Sequence, residues 1–297
     1  MKAPPMPPVI LAFVLMGFNA IMAALDTVFV RFVSGEVHAL EIAFFRNFFS
    51  LLALFLILKP AQRSFDANGL WPLHSLRAII KLLALVAYFM AITMLPIALV
   101  TALAFTMPLF VTLGSMLFLR EGVGFHRILA IFAGLVGMLI ILQPPGIEFG
   151  PGVMLALGSA IGLAGVALLM KVSSGREEPL RIVWFNLVVT VPFALLIAIP
   201  VWVWPSPTAL GLMALQGVGG LIAQLSIARA LKLADASMVI SVDFIRLPIV
   251  AILGYFLFAE SIELTVLAGG ALIFAGVVYS AFWEGRRARR AIPPDTI

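Results

Sequence analysis

The chain contains no cysteine. Disulfides, thiolate metal sites and cysteine nucleophiles are therefore excluded. Charge is also scarce: Asp, Glu, Lys and Arg make up 11% of 297 residues, where a soluble domain carries about 25%. A chain so poor in charge cannot cover a water-facing surface. Its three histidines, His38, His74 and His126, all lie at the ends of apolar runs. That position argues against haem or zinc held at membrane depth, and no cofactor or metal is expected. There is no GxxxxGKS/T phosphate loop, so the chain is not itself an ATP-driven pump. No GxSxG motif or deep Ser–His arrangement marks an intramembrane hydrolase.

Apolar sequence takes the place of all this: 63% of residues are hydrophobic and the mean hydropathy is +1.17. A bilayer core of about 30 Å takes roughly 20 apolar residues per helix. Runs of that kind predict spans near 9–32, 38–58, 76–95, 98–119, 127–143, 151–171, 180–202, 208–231, 237–258 and 264–283. The expected fold class is an all-α polytopic membrane protein with ten transmembrane helices, and the "LPIA" after the third span predicts a tight turn at Pro96. The net charge of +5 would suit a nucleic-acid partner. In a membrane protein the same excess is orientation charge, so the lipid bilayer is the expected partner and nucleic acid is not. Lys2, Lys59, Arg63, Arg77, Arg120, Arg127, Lys171, Arg176, Arg181, Lys232 and the tail "GRRARR" (285–290) fall on one side of a ten-span topology, while Arg31 is nearly alone on the other. Both termini are accordingly expected in the cytoplasm.

The chain repeats itself. "VRFVSG" (30–35) matches "MKVSSG" (170–175), and Phe45 before Arg46 matches Phe185 before Asn186. Pro108 and Gly114 match Pro248 and Gly254, all at an offset of 140 residues, and "IFAGLV" (131–136) matches "IFAGVV" (273–278) at 142. The first span therefore has a partner later in the chain and is not expected to be a cleaved signal peptide. The units are a first repeat over 1–145, a second over 146–285 and a basic cytoplasmic tail over 286–297. Five spans is an odd number, so the second repeat enters the membrane in the opposite sense. Inverted repeats recur in secondary transporters, with the substrate site near the midplane between the halves. Duplication in a polytopic membrane enzyme, or in a channel-like or lipid-handling protein, is the alternative. An enzyme would need its site at the cytoplasmic rim, around 59–77.

The ten-span plan, "FFR" (44–46), "AYFMAITMLPIALVTALAFTMPLFVTLGSMLFLRE" (87–121) and its echo "ARALKLADASMVISVDFIRLPIVAILGYFLFAE" (228–260) resemble the EamA group of the drug/metabolite transporter superfamily over nearly the whole chain. The resemblance implies an inner-membrane secondary carrier, not an enzyme, for a small organic metabolite or drug. It implies an exporter or exchanger, with a coupling proton or exchange substrate. The central cavity would be lined mainly by the first, third, fourth, sixth, eighth and ninth helices. The group's substrates include amino acids, riboflavin-like vitamins, nucleoside derivatives and drugs.

A charge at a helix centre costs roughly 2.5–3.5 kcal/mol on insertion scales, so those that persist are usually paired or functional. Arg31, Arg229 and Lys232 lie near helix ends and can snorkel to the headgroups. Asp26, Arg46, Asp243 and Arg246 are deeper, and with Glu41 and Lys81 they form a balanced set of acids and bases. Balance favours internal pairing or a cavity for a zwitterion. Asp243 and Arg246, in "DFIRLP" (243–248), are three apart and share a helix face. Either they neutralise each other or they face the cavity. The repeat sets "LAFTMP" (103–108) against them, so the proline belongs to both halves and the charges to one. Pro108 and Pro248 deprive the carbonyls of Ala104 and Phe244 of a donor and predict kinks that shape the cavity. Asn19, Tyr88, Thr106, Asn186 and Gln224 are polar cavity candidates, although each could equally bond between packed helices. Phe89 and Phe105 offer stacking faces. Gly134, Gly137, Gly269, Gly270 and Gly276 give small faces for close helix contact within the chain or in a homodimer. Glu121 and Glu260 read as structural end motifs.

Overall fold

A computed structural model describes residues 8–58, 71–118, 125–142, 149–173, 179–233, 243–261 and 263–290. No strand occurs among the described residues. The chain forms α1 (Pro8–Val33), α2 (Ala39–Ile57), α3 (Trp71–Met94), α4 (Ile97–Ala104), α5 (Met107–Phe118), α6 (Phe125–Leu142), α7 (Pro151–Ser173), α8 (Pro179–Ala198), α9 (Pro207–Leu233), α10 (Arg246–Phe258) and α11 (Leu264–Arg290). Among the described residues, six helices are long and apolar enough to cross a membrane: α1, α2, α3, α7, α8 and α9. Shorter apolar stretches over 97–111, 132–141, 246–258 and 264–276 fall where the fourth, fifth, ninth and tenth spans are predicted. Backbone bonds closed within each helix explain this architecture, because hydrocarbon offers no other partner. Helix α11 runs to Arg290, so the basic run "GRRARR" continues the helix instead of following it. Residues 291–297 of the expected tail, together with Lys2, Lys59, Arg63, Arg120, Glu121 and Arg176, lie outside the described residues.

Proline punctuates this chain where the sequence predicts, but with a different result. The Pro96 turn forms as expected: Pro96 caps α4, and its carbonyl accepts from the Val100 N–H at 3.1 Å. The predicted kink at Pro108 is a full break. Pro108 cannot donate to Ala104, and the preceding residues tighten, with Phe105 N–H bonded to Ala102 O at 3.2 Å and Thr106 N–H to Leu103 O at 3.0 Å. The Thr106 carbonyl then starts α5 by accepting from Leu109 and Phe110. Pro248 is the third residue of α10, which follows a 3-10 turn over Asp243–Ile245. In the first turn of a helix a missing N–H costs little, because those donors have no intrahelical partner. Both prolines thus open a helix instead of bending one.

The strongest packing joins α6 to α11, α1 to α9 and α3 to α7, followed by α2 with α9, α2 with α8 and α3 with α8. Every one of these pairs crosses between the two sequence halves. Exchanging each helix for its repeat partner (α1 for α7, α2 for α8, α3 for α9, α4–α5 for α10, α6 for α11) maps the pattern onto itself. The α1–α9 pair becomes α7–α3, and α2–α9 becomes α8–α3. The α2–α8, α4–α10 and α6–α11 pairs are self-matched. Two interlocked bundles result: α1, α2, α9 and α10 on one side, and α7, α8, α3 and α4–α5 on the other. The halves of the sequence are therefore not separately packed bodies.

Glycine sets the closest approaches. A Cβ on Gly137 would stand 2.7 Å from the Gly269 carbonyl, and one on Gly269 would stand 2.5 Å from the Gly137 carbonyl, so α6 and α11 meet backbone to backbone. Gly134 faces Leu109 and Gly270 faces Leu247. The small faces of these four glycines are thus used inside the chain. Because backbone is what a new side chain would strike, Gly269→Val should destabilise the protein by about 1–3 kcal/mol, the usual cost of overpacking. The check is the melting temperature of the detergent-solubilised protein. A conservative change at the exposed Leu139 should leave it unmoved.

Candidate functional site

"DFIRLP" begins where α10 begins, and its two charges meet both each other and the first half of the chain. Arg246 Nη2 lies 3.9 Å from Asp243 Oδ2. Asn19 of α1 donates from Nδ2 to Asp243 Oδ1 at 3.3 Å. The Arg246 guanidinium sits over the Phe105 ring, 5.2 Å from its centroid, at the break between α4 and α5. A desolvated contact of that kind contributes about 2 kcal/mol. Phe105 belongs to "LAFTMP", so the two repeat-related starts of helix face each other. Asp243 and Arg246 thus lie beside each other, and Arg246 also reaches Phe105 in the other bundle.

The other deep polar residues join this layer through the remaining helices. Arg46 of α2 donates from Nε to Asp26 Oδ1 of α1 at 2.8 Å, with both side chains largely buried. Gly220 of α9 makes room for that guanidinium, since a Cβ there would stand 2.7 Å from Arg46 Nη2. Lys81 of α3 donates from Nζ to Gln224 Oε1 of α9 at 2.6 Å. The Tyr88 hydroxyl of α3 lies 3.2 Å from Thr27 Oγ1 of α1, and Thr27 donates in turn to the Ala23 carbonyl. Tyr88 and Asp26 are also near enough to Arg246 to act on its charge. Asn19, Asp26, Arg46, Lys81, Tyr88, Gln224, Asp243 and Arg246 thus form one polar layer across both bundles.

Several candidates stand apart from it. The Thr106 hydroxyl is fully buried and bonded to the Leu103 carbonyl at 2.7 Å, where it serves the helix break. Asn186 is buried in α8 between Phe185 and Leu187 of a separate apolar cluster, and makes no bond to the layer among the described residues. Phe89 is wholly enclosed in the main core and offers no face. Glu41 is buried in the first turn of α2 beside His38 and the Val203 backbone. It is not part of the layer, so the expected balance of three acids and three bases fails. Thr27 and Gly220 are members that sequence reading missed; a threonine or glycine in an apolar helix carries no signal of its own.

A second constellation closes the end of the bundles where α1, α3 and α10 finish. Arg31, expected to snorkel, donates from Nη1 to the Ile92 carbonyl at 2.7 Å and lies 3.5 Å from Glu260. Glu260 Oε2 accepts the Ile97 N–H at 2.8 Å and so caps α4. Ala259, with φ 54°, turns the chain at the end of α10 and aims Glu260 back at α4. Burial holds the Glu260 carboxyl above the usual carboxylate range, against the opposing pull of the Ile97 N–H and Arg31. This latch ties α1 and α10 to α3 and α4.

Interlocked helical repeats enclosing a polar layer at the depth of the hydrocarbon define a polytopic membrane transporter for a small molecule. The EamA-like transporter family matches the chain twice, over residues 10–143 and 150–282. The chain belongs to this family. It is similar to a riboflavin transporter of Vibrio cholerae, at 34% identity over 73% of this chain and 74% of the relative. It is similar to an S-adenosylmethionine uptake transporter of Rickettsia prowazekii, at 24% identity over 90% of each chain. A pseudopaline exporter of Pseudomonas aeruginosa is 30% identical over 84% of this chain and 88% of its own length. One crystal structure of a protein 19% identical, covering 92% of this chain and 97% of that one at a TM-score of 0.64, shares the fold.

Two outcomes follow for stability. Glu260→Ala leaves the Ile97 N–H and Arg31 without their acceptor and should cost on the order of 1–3 kcal/mol. Glu260→Gln keeps an acceptor for Ile97 and should cost less, so the Gln variant should melt above the Ala variant. Because burial raises the carboxyl's pKa, wild-type Glu260 loses its charge at a higher pH than an exposed glutamate. The folded protein therefore takes up that proton ahead of the unfolded chain, so acidification through this window should raise the wild-type melting temperature relative to that of the Gln variant, which has no proton to gain there.

Proposed function

We propose that the protein is a secondary-active carrier that binds a small organic metabolite in the polar layer between the two bundles and exposes it to each side of the membrane in turn. The observation that carries this reading is the contact of Asp243 and Arg246 with Asn19 and Phe105, a charged pair anchored to both bundles at once. Asp243, Arg246, Asp26 and Arg46 line the site, with Lys81, Tyr88, Asn19 and Gln224 between them. The helix starts at Pro108 and Pro248 bring backbone carbonyls to the same depth. The moving bodies are the interlocked bundles. A rocking of sequence half against sequence half would tear every principal helix pair apart. Breaking the Arg31–Ile92 and Ile97–Glu260 bonds of the latch frees one end while the polar layer keeps the bundles in register.

The charge asymmetry of the loops favours the inner membrane, with both termini cytoplasmic. The repeats then run over 1–145 and 146–285 with inverted topology and ten membrane crossings. Relatives named for uptake and for export stand side by side, so the fold carries no direction of its own. Flux follows a coupling proton or an exchanged substrate, as its gradient dictates. A riboflavin-like, amino-acid-like or nucleoside-type molecule suits a layer with stacked Arg246–Phe105 and several hydrogen-bonding groups. The working unit is the single chain, and a homodimer would pair through faces other than the internal Gly137–Gly269 contact.

Purified protein in liposomes should show saturable counterflow with riboflavin, S-adenosylmethionine or an amino acid from a panel. Arg246→Ala should lower that flux by about tenfold or more, the effect of losing roughly 1.4 kcal/mol. Unsaturable flux without counterflow, or full flux in a folded Arg246→Ala variant, would contradict the reading.

A further inference from the structure

We propose that Lys81 and Gln224 form an anion-accepting subsite, so that the carried molecule bears a carboxylate, phosphate or comparable anionic group that bridges the two bundles there. The proposal rests on the carrier reading and deepens it. Each arginine of the polar layer already has an acid: Arg46 has Asp26 and Arg246 has Asp243. Lys81 has none among the described residues. Its bonding partner is a neutral amide, and the charges that press on it are those of Arg46 and Arg77. Arg77 is itself buried beside His74, on the same helix. With Glu41 placed elsewhere, the layer sets Asp26 and Asp243 against Arg46, Arg246 and Lys81. Lys81 is thus the basic side chain of the layer that has no acid beside it among the described residues.

Gln224 completes the subsite. Its Oε1 is held by the Lys81 Nζ, and its Nε2, a buried donor, has no partner among the described residues. The remaining ammonium N–H groups and the amide N–H therefore stand together with nothing to accept them. A buried donor left unmade costs about 1–3 kcal/mol, and more for a charged group. An anion placed between them satisfies both, and it touches α3 of one bundle and α9 of the other. Binding of the anion thus favours the arrangement in which the bundles are held together. The repeat offset sets Leu221 against Lys81 and Ala84 against Gln224. The polar pair has an apolar counterpart across the pseudo-two-fold, as a ligand-directed feature would and a scaffold requirement would not.

Matched probes test this on the full chain in detergent: nicotinate against nicotinamide, and riboflavin 5′-phosphate against riboflavin, each titrated for thermal stabilisation. Wild type should be half-stabilised by at least one anion at a concentration ten or more times lower than by its neutral partner. Lys81→Gln should level the two, Lys81→Arg should keep the preference, and Gln224→Leu should weaken the anion alone. Equal or better binding of the neutral members, no stabilisation by either anion, or a preference that survives Lys81→Gln would overturn the subsite. The wild-type comparison decides even where a variant fails to fold. Counterflow in liposomes is read separately. Counterflow without anion preference sinks the subsite and leaves the carrier, and anion preference without counterflow does the reverse.

Discussion

A charged side chain at the centre of a membrane helix costs roughly 2.5–3.5 kcal/mol on insertion scales unless a partner is supplied, and this chain carries Asp26, Arg46, Lys81, Asp243 and Arg246 in or at the start of its apolar helices. Their partners come from neighbouring helices: Arg46 finds Asp26, Lys81 finds Gln224, and Asp243 finds Asn19. The helices that supply them must therefore stay in contact. The Asn19–Asp243 and Lys81–Gln224 bonds each join one sequence half to the other, in keeping with the close packing of α1 against α9. Glycine makes the contact close enough, at Gly220 beside Arg46 and at the Gly137–Gly269 crossing.

The same constraint produces a device for transport. Interactions within a bundle, such as Asp26–Arg46 and Asn19–Asp243, give each body its own rigidity. Interactions between bundles, such as Arg246 over Phe105, Tyr88 with Thr27, Arg31 with the Ile92 carbonyl and the Ile97 N–H with Glu260, are single contacts that can break and re-form. A carrier needs such a division between strong internal and replaceable external contacts. A substrate that takes over the cross-bundle contacts stabilises one arrangement over another only to the extent that it binds them differently.

Much of this was legible in the sequence. The helices lie close to the predicted spans because length and apolarity dictate them, and Pro96 turns the chain where a proline between two apolar runs must. The repeat set Pro248, which Pro108 matches and which opens α10, apart from Asp243 and Arg246, present in one half. The misses have one cause. Sequence depth measures distance along a helix, whereas partnership depends on which helices meet. Arg31 read as a snorkelling end residue because Ile92 and Glu260, its partners, are far along the chain. The Ile97–Glu260 bond spans 163 residues and the Asn19–Asp243 bond 224. Glu41 was counted into the central set by its place in the apolar run, and it lies in another environment. Thr106 looked like a ligand group because its bond to its own turn depends on a helix break that Pro108 alone does not announce.

The central claim is that the polar layer faces each side of the membrane in turn. The absence of native cysteine makes this directly measurable, since a single introduced thiol is the only one present. Ala23 lies one helical turn from both Asn19 and Thr27 on the same face of α1. An Ala23→Cys protein in membranes of defined orientation, probed with a membrane-impermeant maleimide, should react from either side, with the balance shifted by a substrate gradient. Reaction from one side only, whatever the gradient, would contradict alternating access through this layer.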